Sequence, residues 1–254
     1  MIIDGHAHIS RDSNSSVEEL LAQMEAARVD KTVLVPGGML DVRRMSSYVT
    51  GKGTAANLTP CNDLVSDLVH KYPDKFIGFY CIDPNQSVAS AAQELENAFR
   101  DGFSGLKMSP MVHEFSFLGK VSKELAAVCG DFGLCYYSHV TVKPGASTAA
   151  FGQLAKEFPQ TNFVFGHMGF GPFDSEAIEL AAKLDNVYLE TSLSNPLALK
   201  IAARSAGPGK MLFGSEFPLS EPGIEKIKIE SLPLPDSGKE MIFSGTLTNL
   251  LKQA

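Results

Sequence analysis

Six histidines are spread over the 254 residues of the chain: His6, His8, His70, His113, His139 and His167. Four of them stand where a short apolar run stops. His6 and His8 follow the run that opens at Ile2, two residues apart, and side chains at i and i+2 share one face of a strand. The pair therefore points one way, and two imidazoles on one face can grip a single metal ion. Asp4 extends the same face, placed to accept an imidazole N–H. His139 closes Cys135-Tyr136-Tyr137-Ser138-His139, His167 closes Phe163-Val164-Phe165-Gly166-His167, and Glu216 closes Leu212-Phe213-Gly214-Ser215-Glu216. Four imidazoles and a carboxylate gathered in one place form a metal site by ligand type.

Lys107 belongs to a further run, Gly105-Leu106-Lys107-Met108. It can pair with local carboxylates, bind an anionic substrate, or be carboxylated and bridge two metal ions, because a lysine shifts its pKa readily when buried. Glu190, with Thr191 and Ser192, closes another run, and ligand, supporting and structural roles stay open for it. Arg43 and Arg44 lie in a long polar stretch, where an arginine can hold a substrate carboxylate by a bidentate pair or face solvent. Phe170 and Phe173 can wall a pocket or pack on its rim. His113 and Glu114, in the loop after the Lys107 run, can contact substrate but read more readily as a solvated loop. His70, beside Lys71 near the end of a helix, reads as a surface or capping residue. Cys61, Cys81, Cys129 and Cys135 match no zinc knuckle and no CxxC motif, so they read as packing thiols.

The elements that must hold these residues alternate regularly. Short apolar runs at 2–4, 31–36, 76–82, 103–108, 134–139, 162–167, 186–191 and 211–214 read as strands. Helical segments are expected at 17–28, 61–71, 88–100, 121–131, 147–157, 173–184 and 196–204, with a helical tail at 237–252. In the first helix Leu20, Leu21, Met24 and Ala27 fall on one face, and Ser16 is placed to cap it. Eight strands, each followed by helical material, give units of roughly 32 residues, the size of one βα repeat. The expectation is an α/β fold, a (β/α)8 TIM barrel, in a single domain over residues 1–254. A doubly wound open sheet is the alternative, but no GxGxxG or GxxxxGK[ST] pattern follows a strand. In a barrel the strand ends that carry His6, His8, Lys107, His139, His167 and Glu216 converge on one mouth, where barrel enzymes keep their active sites.

Composition narrows the function classes. With 22 basic and 29 acidic residues the formal net charge is -7, which argues against nucleic acid as the main partner. Hydrophobic residues at 44% and charged residues at 20% exclude global disorder. No apolar run approaches the roughly 18 residues of a membrane span, and the start lacks the basic and apolar regions of a secretory signal. Free thiols and no signal together point to the cytoplasm.

Taken as a set, the motifs resemble the amidohydrolase superfamily. Within it they resemble the amidohydrolase-related group of metal-dependent hydrolases and decarboxylases, which contains amino-carboxymuconate-semialdehyde and aromatic-acid decarboxylases. Asp4-Gly5-His6-Ala7-His8 is similar to that family's opening DxHxH, Gly105-Leu106-Lys107 to its GxK, and His139 and His167-Met168-Gly169 to its fifth- and sixth-strand histidines. Gly214-Ser215-Glu216-Phe217-Pro218 is similar to its GSD-aromatic-P, and Asn249-Leu250-Leu251 to its closing helix. The resemblance implies a barrel holding one divalent ion, zinc or similar, on His6, His8, His139 and Glu216, with His167 as catalytic partner. Two ions are implied if Lys107 is carboxylated. One residue departs from the pattern: the last-strand acid of the family is usually Asp, and here it is Glu216.

Three readings of the chemistry follow. In the first, a metal-activated water attacks a small amide, lactone or ester. Glu216 carries the proton from that water, His167 stabilises the oxyanion, and Lys107 with His167 binds a carboxylate-bearing substrate. In the second, the same site removes carbon dioxide from a small unsaturated or aromatic acid. In the third, the change to Glu216 has left a binding barrel without turnover. The partner is a small molecule in each case, with no nucleic acid and no membrane. A homodimer is expected by fold-level analogy.

Overall fold

The computed structural model describes residues 1–55 and 57–251. Nine strand segments run in chain order: β1 (Ile3–Ile9), β2 (Lys31–Pro36), β3 (Phe76–Gly78), β4 (Tyr80–Cys81), β5 (Gly105–Met108), β6 (Cys135–Ser138), β7 (Asn162–Phe165), β8 (Val187–Glu190) and β9 (Met211–Leu212). All their pairings are parallel, each segment with the next, except between β3 and β4. Those two are halves of one stave, split at Phe79, whose N–H donates to Leu34 O at 3.0 Å. Nine segments therefore make eight staves.

The sheet closes on itself between β9 and β1. Gly5 N donates to Phe213 O at 2.8 Å, Glu216 N to His6 O at 2.8 Å, and His8 N to Phe217 O at 2.7 Å. Closure leaves no edge strand with unpaired backbone groups. The fold is a single-domain (β/α)8 barrel, and the open-sheet alternative is set aside.

The staves begin close to where the sequence places them, but the first is longer. β1 continues to Ile9, so His6 and His8 lie within the strand rather than after it. Its pairing with β2 slips between Asp4 and Ala7. Such a bulge re-aims side chains and is common beside active sites.

The helices between the staves are α1 (Val17–Ala27), α2 (Met45–Val49), α3 (Asn62–Lys71), α4 (Val88–Arg100), α5 (Lys120–Asp131), α6 (Thr148–Glu157), α7 (Ser175–Lys183), α8 (Pro196–Ser205), α9 (Pro222–Glu230), α10 (Asp236–Glu240) and α11 (Thr246–Leu251), with a π-turn at Met241–Gly245. Ser16 caps α1 as expected, and two further helices start in the same way. Ser16 Oγ accepts from Glu19 N, Ser87 from Ser90 N, and Asn195, followed by Pro196, from Ala198 N. Two helices were not expected. The polar stretch after β2 contains a 3-10 turn (Val42–Arg44) and α2, and α9 follows β9. The tail is helical in three pieces; Lys252, in the expected tail helix, lies outside the described residues.

Two packed layers result. Between staves and helices lie residues such as Leu95, Leu125, Phe151 and Phe163. Each fully buried side chain of this kind is worth about 1.5–3 kcal/mol relative to exposure. Inside the barrel, Val33, Val35, Phe79, Cys135, Tyr137 and Val164 form a second cluster, joined by Leu247 and Leu250 of α11. The interior is a packed core, and α11 contributes to it, which leaves the opposite end for chemistry. Among the described residues no helix is long and apolar enough to cross a membrane.

Candidate metal centre

The C-terminal halves of the staves bring the polar side chains together. β1 supplies His6 and His8. β5 and β6 supply Lys107 and Tyr137, which are paired across the two strands. His139 comes one residue after β6. His167 lies in a 3-10 turn after β7, and Glu216 lies four residues beyond β9. Four residues around this point, His167 (φ 58°), Met168 (φ 57°), Leu193 (φ 58°) and Glu216 (φ 56°), adopt the left-handed conformation. A side chain held there costs of order 1–3 kcal/mol and persists only where its surroundings impose it, commonly at functional sites. At Glu216 that backbone turn brings the longer side chain back among the imidazoles.

His6, His139, His167 and Glu216 each offer one ligand atom within 4.8 Å of all the others. Glu216 Oε2 lies 2.7 Å from His6 Nδ1 and 3.7 Å from Nε2 of both His139 and His167. Glu216 is nearly fully buried, yet no hydrogen-bond donor is directed at Oε2. His8 stands beside this group, its Nε2 3.1 Å from His6 Nε2 and 3.4 Å from Glu216 Oε1.

The hydrogen-bond network assigns the ring protons. His6 Nδ1 faces Tyr137 Oη at 2.6 Å and Glu190 Oε2 at 3.2 Å. His8 Nδ1 faces the Pro36 carbonyl at 3.3 Å, and His167 Nδ1 faces Ser192 Oγ at 2.8 Å. Each Nδ1 thus carries its proton toward an acceptor and leaves Nε2 bare. Lys107 Nζ donates to Nε2 of both His6 and His139 at 3.0 Å, which requires those nitrogens to be acceptors. Two bare nitrogens 3.1 Å apart, on His6 and His8, repel unless a cation lies between them. An orphaned carboxylate oxygen and facing lone pairs fit a divalent metal ion, and the donor set suits one.

Glu190 is the residue whose role the sequence left open. It is fully buried and accepts from Tyr137 Oη at 3.0 Å, His167 N at 3.1 Å, Ser192 N at 2.6 Å and Ser192 Oγ at 2.8 Å, besides His6 Nδ1. Asp4 does not do this work. It accepts from His6 N, Ser215 N and Ser215 Oγ, so it ties β1 to the segment after β9 and reaches no imidazole N–H. Both of its oxygens are taken up by the His6 backbone and by Ser215, which barrel closure brings beside it. Tyr137 was not anticipated; its place two residues before His139 on one strand was the available signal. Two glycines make room. A Cβ at Gly214 would stand 2.1 Å from Glu190 Oε1, and one at Gly166 would stand 2.5 Å from the His139 ring.

Burial and neighbouring charge set the protonation. Burial lowers His8, His139 and His167, with Lys107 adding to the effect on His139. At His6 burial is outweighed by Glu216 and Glu190, and its pKa rises. Burial raises Glu190, but the hydrogen bond and charge of His6 overcome it and hold the carboxyl at about 2. Glu216 is held well below the usual range against burial by His6, His167, His8 and His139. Burial brings Lys107 down to about 7, and its amine lies over the Tyr137 ring at 3.9 Å.

The centre lies at the buried end of a cavity of about 350 Å³. Lys107, His8, His139, His167 and Glu216 line that end. Met39, Met45, Met111, Val112, Phe170 and Leu219 are among the apolar residues that line the rest. Arg43 reaches the rim and is paired with Asp41, while Arg44 lies over the Tyr48 ring. Phe173 is exposed and does not line the cavity. His113 is buried rather than solvated: its Nε2 donates to the Leu58 carbonyl oxygen at 2.7 Å, so the proton is on Nε2. That bond pins the stretch after β2 to the loop after β5. Glu114 is exposed and pairs with Lys143, and His70 bonds its own helix at Ser66 O. The four cysteines are free thiols, and Cys81 lines the cavity.

The family model described as amidohydrolase matches residues 3–251. No curated protein matches the chain. Among solved structures, a TIM-barrel protein of Bordetella bronchiseptica aligns with a TM-score of 0.79 at 20% identity, covering 99% of this chain and 98% of that one. The 5-carboxyvanillate decarboxylase of Sphingomonas paucimobilis aligns at 0.73 and 18%, covering 99% and 98%. The dihydroxybenzoic acid decarboxylase of Polaromonas sp. JS666, solved with manganese and the inhibitor 2-nitroresorcinol, aligns at 0.74 and 17%, covering 99% and 96%.

Proposed function

We propose, from the premise that the chain belongs to the amidohydrolase family, that it is a metal-dependent decarboxylase of small carboxylic acids acting within one barrel domain, residues 1–254. The observation that carries this reading is a buried polar cluster closing one end of a cavity whose middle is walled by apolar side chains. The decarboxylases among similar structures, two of them named above, lend it weight over hydrolysis.

His6, His8, His139 and Glu216 would hold one divalent ion, manganese or zinc, and His167, although it belongs to the mutually close group, would be left as proton carrier. When bound, the metal would supply a fixed positive charge toward the anionic group of the substrate. Lys107, with its pKa near 7, adds a donor to the same anionic group. The apolar wall excludes water and holds the body of the acid still, so the bond to the carboxylate can be aligned for cleavage. The carbon–carbon bond then breaks, carbon dioxide leaves, and its bonding electrons stay on the carbon. His167 Nε2, kept bare by the Ser192 contact, takes a proton from solvent and delivers it to that carbon. One carboxylate and one proton give one carbon dioxide and one C–H bond.

Hydrolysis is the second reading, favoured by the position of Glu216 Oε2, which could draw a proton from a water held at the centre. The two are separated by running manganese-loaded protein against small carboxylic acids, amides and lactones in heavy-isotope water. Carbon dioxide release with deuterium at the carbon that bore the carboxylate supports decarboxylation. Oxygen-18 in the product without carbon dioxide supports hydrolysis and overturns it.

A further inference from the structure

The rim of the cavity carries charges of both signs. Asp12, Asp41 and Arg43 all line it. Arg43 is bound to Asp41 in bidentate fashion, Nε to Oδ1 at 2.8 Å and Nη2 to Oδ2 at 3.0 Å, and its backbone N–H also donates to Oδ1. Asp12 is close enough to act on the same guanidinium. Among the described residues, Arg43 and Lys107 are the only lysine or arginine side chains that line the cavity. Lys107 is at the buried end, bonded to His6 and His139, so Arg43 alone serves the outer part.

We propose that the cavity selects monocarboxylates and rejects acids that carry a second anionic group on the body of the molecule. A first carboxylate goes to the buried end, which rests on the carboxylate-substrate reading above. A second would project along the apolar wall toward the rim. There it meets two carboxylates and one guanidinium, and that guanidinium is already engaged by one of them. The net charge of the three rim groups is -1, so the second anion finds repulsion and a guanidinium whose Nε/Nη2 edge is already taken by Asp41. Asp41 does this through its position two residues before Arg43. Its Oδ1 accepts from both Arg43 N and Arg43 Nε, so this exposed pair is fixed through backbone and side chain together.

The test is calorimetric binding of matched acids to manganese-loaded protein, benzoate against isophthalate and hexanoate against adipate. The parent is expected to bind each monoacid at least about fivefold tighter than its diacid. Asp41→Asn keeps a cap on the following turn and frees Arg43, so diacid affinity should rise about tenfold while monoacid affinity stays put. Arg43→Gln added to Asp41→Asn should cancel that gain. Equal binding of mono- and diacids by the parent overturns the proposal, as does an unchanged gap in Asp41→Asn. Diacid gain that survives Arg43→Gln overturns the role of Arg43. Failure of every acid to bind while amides or lactones do would instead overturn the carboxylate-substrate reading, and this proposal with it.

Discussion

Glu190, at the end of β8, meets His6, in the middle of β1, with Oε2 3.2 Å from Nδ1. The same oxygen accepts from Ser192 Oγ, which in turn faces His167 Nδ1 at 2.8 Å. One buried carboxylate therefore fixes the tautomer of two imidazoles on different staves. Partners of this kind commonly contribute about 10–100-fold in metal affinity. Glu190→Gln is expected to weaken manganese binding by about that factor in calorimetric titration. Ser192→Ala, which touches only the His167 branch, should weaken it less. Equal losses from the two would show that the His6 contact contributes nothing of its own.

The two neighbours of the central group should separate on substitution. His139 lies inside the mutually close set, whereas His8 stands beside it. Elemental mass spectrometry should find His139→Ala with almost no bound metal. His8→Ala should keep a measurable fraction at lower affinity. If His167→Ala loses more metal than His8→Ala, then His167 is a ligand and cannot be the free proton carrier.

Glu216 reaches the imidazoles through its left-handed backbone and its full side-chain length. Asp would end about 1.5 Å short, and a misplacement of about 1 Å can cost 10²-fold. Glu216→Asp is thus expected to lower metal affinity and turnover by about 10–100-fold. A gain of activity in the variant would mean that the parent site has drifted from function.

Asp4 gives a pH signature. Burial pushes its carboxyl up to about 7 from an ordinary 3.8, against hydrogen bonds from Ser215 and His6. The folded chain binds this proton more tightly than the unfolded chain. The contribution is present below 3.8 and is lost as pH rises through about 7. His8, His139 and His167, lowered from 6.5, act with the opposite sign, their stability being lost as pH falls. Their effect cancels in a difference. In metal-free protein, urea unfolding between pH 4 and 7 should show Asp4→Asn gaining on the parent as pH rises. A constant difference across that window would mean that Asp4 titrates normally.

The alternation of apolar runs and amphipathic segments was enough to read the barrel. Burial on both faces forces β-rich runs such as Val33-Leu34-Val35, and helical spacing such as that of Leu20, Met24 and Ala27 records the face turned to them. The same reading located His6, His8, His139, His167 and Glu216, because residue type and position at a stave's end are local facts. What stayed hidden depends on distance through space. The helix α2 lies in a polar stretch with little apolar periodicity, and Tyr48 is its one buried residue, so nothing in the stretch announced it. His113 reads as a loop residue until the Leu58 carbonyl, 55 positions earlier, comes within 2.7 Å. Asp4 and Glu190 are both acids on strands, equally suited by type to hold an imidazole N–H. Only the closure of the barrel, which brings Ser215 to Asp4 and His6 to Glu190, decides which one does. Composition and spacing set which chemistry is available; the register of closed strands sets which atoms meet, because a shift of one residue redirects every side chain.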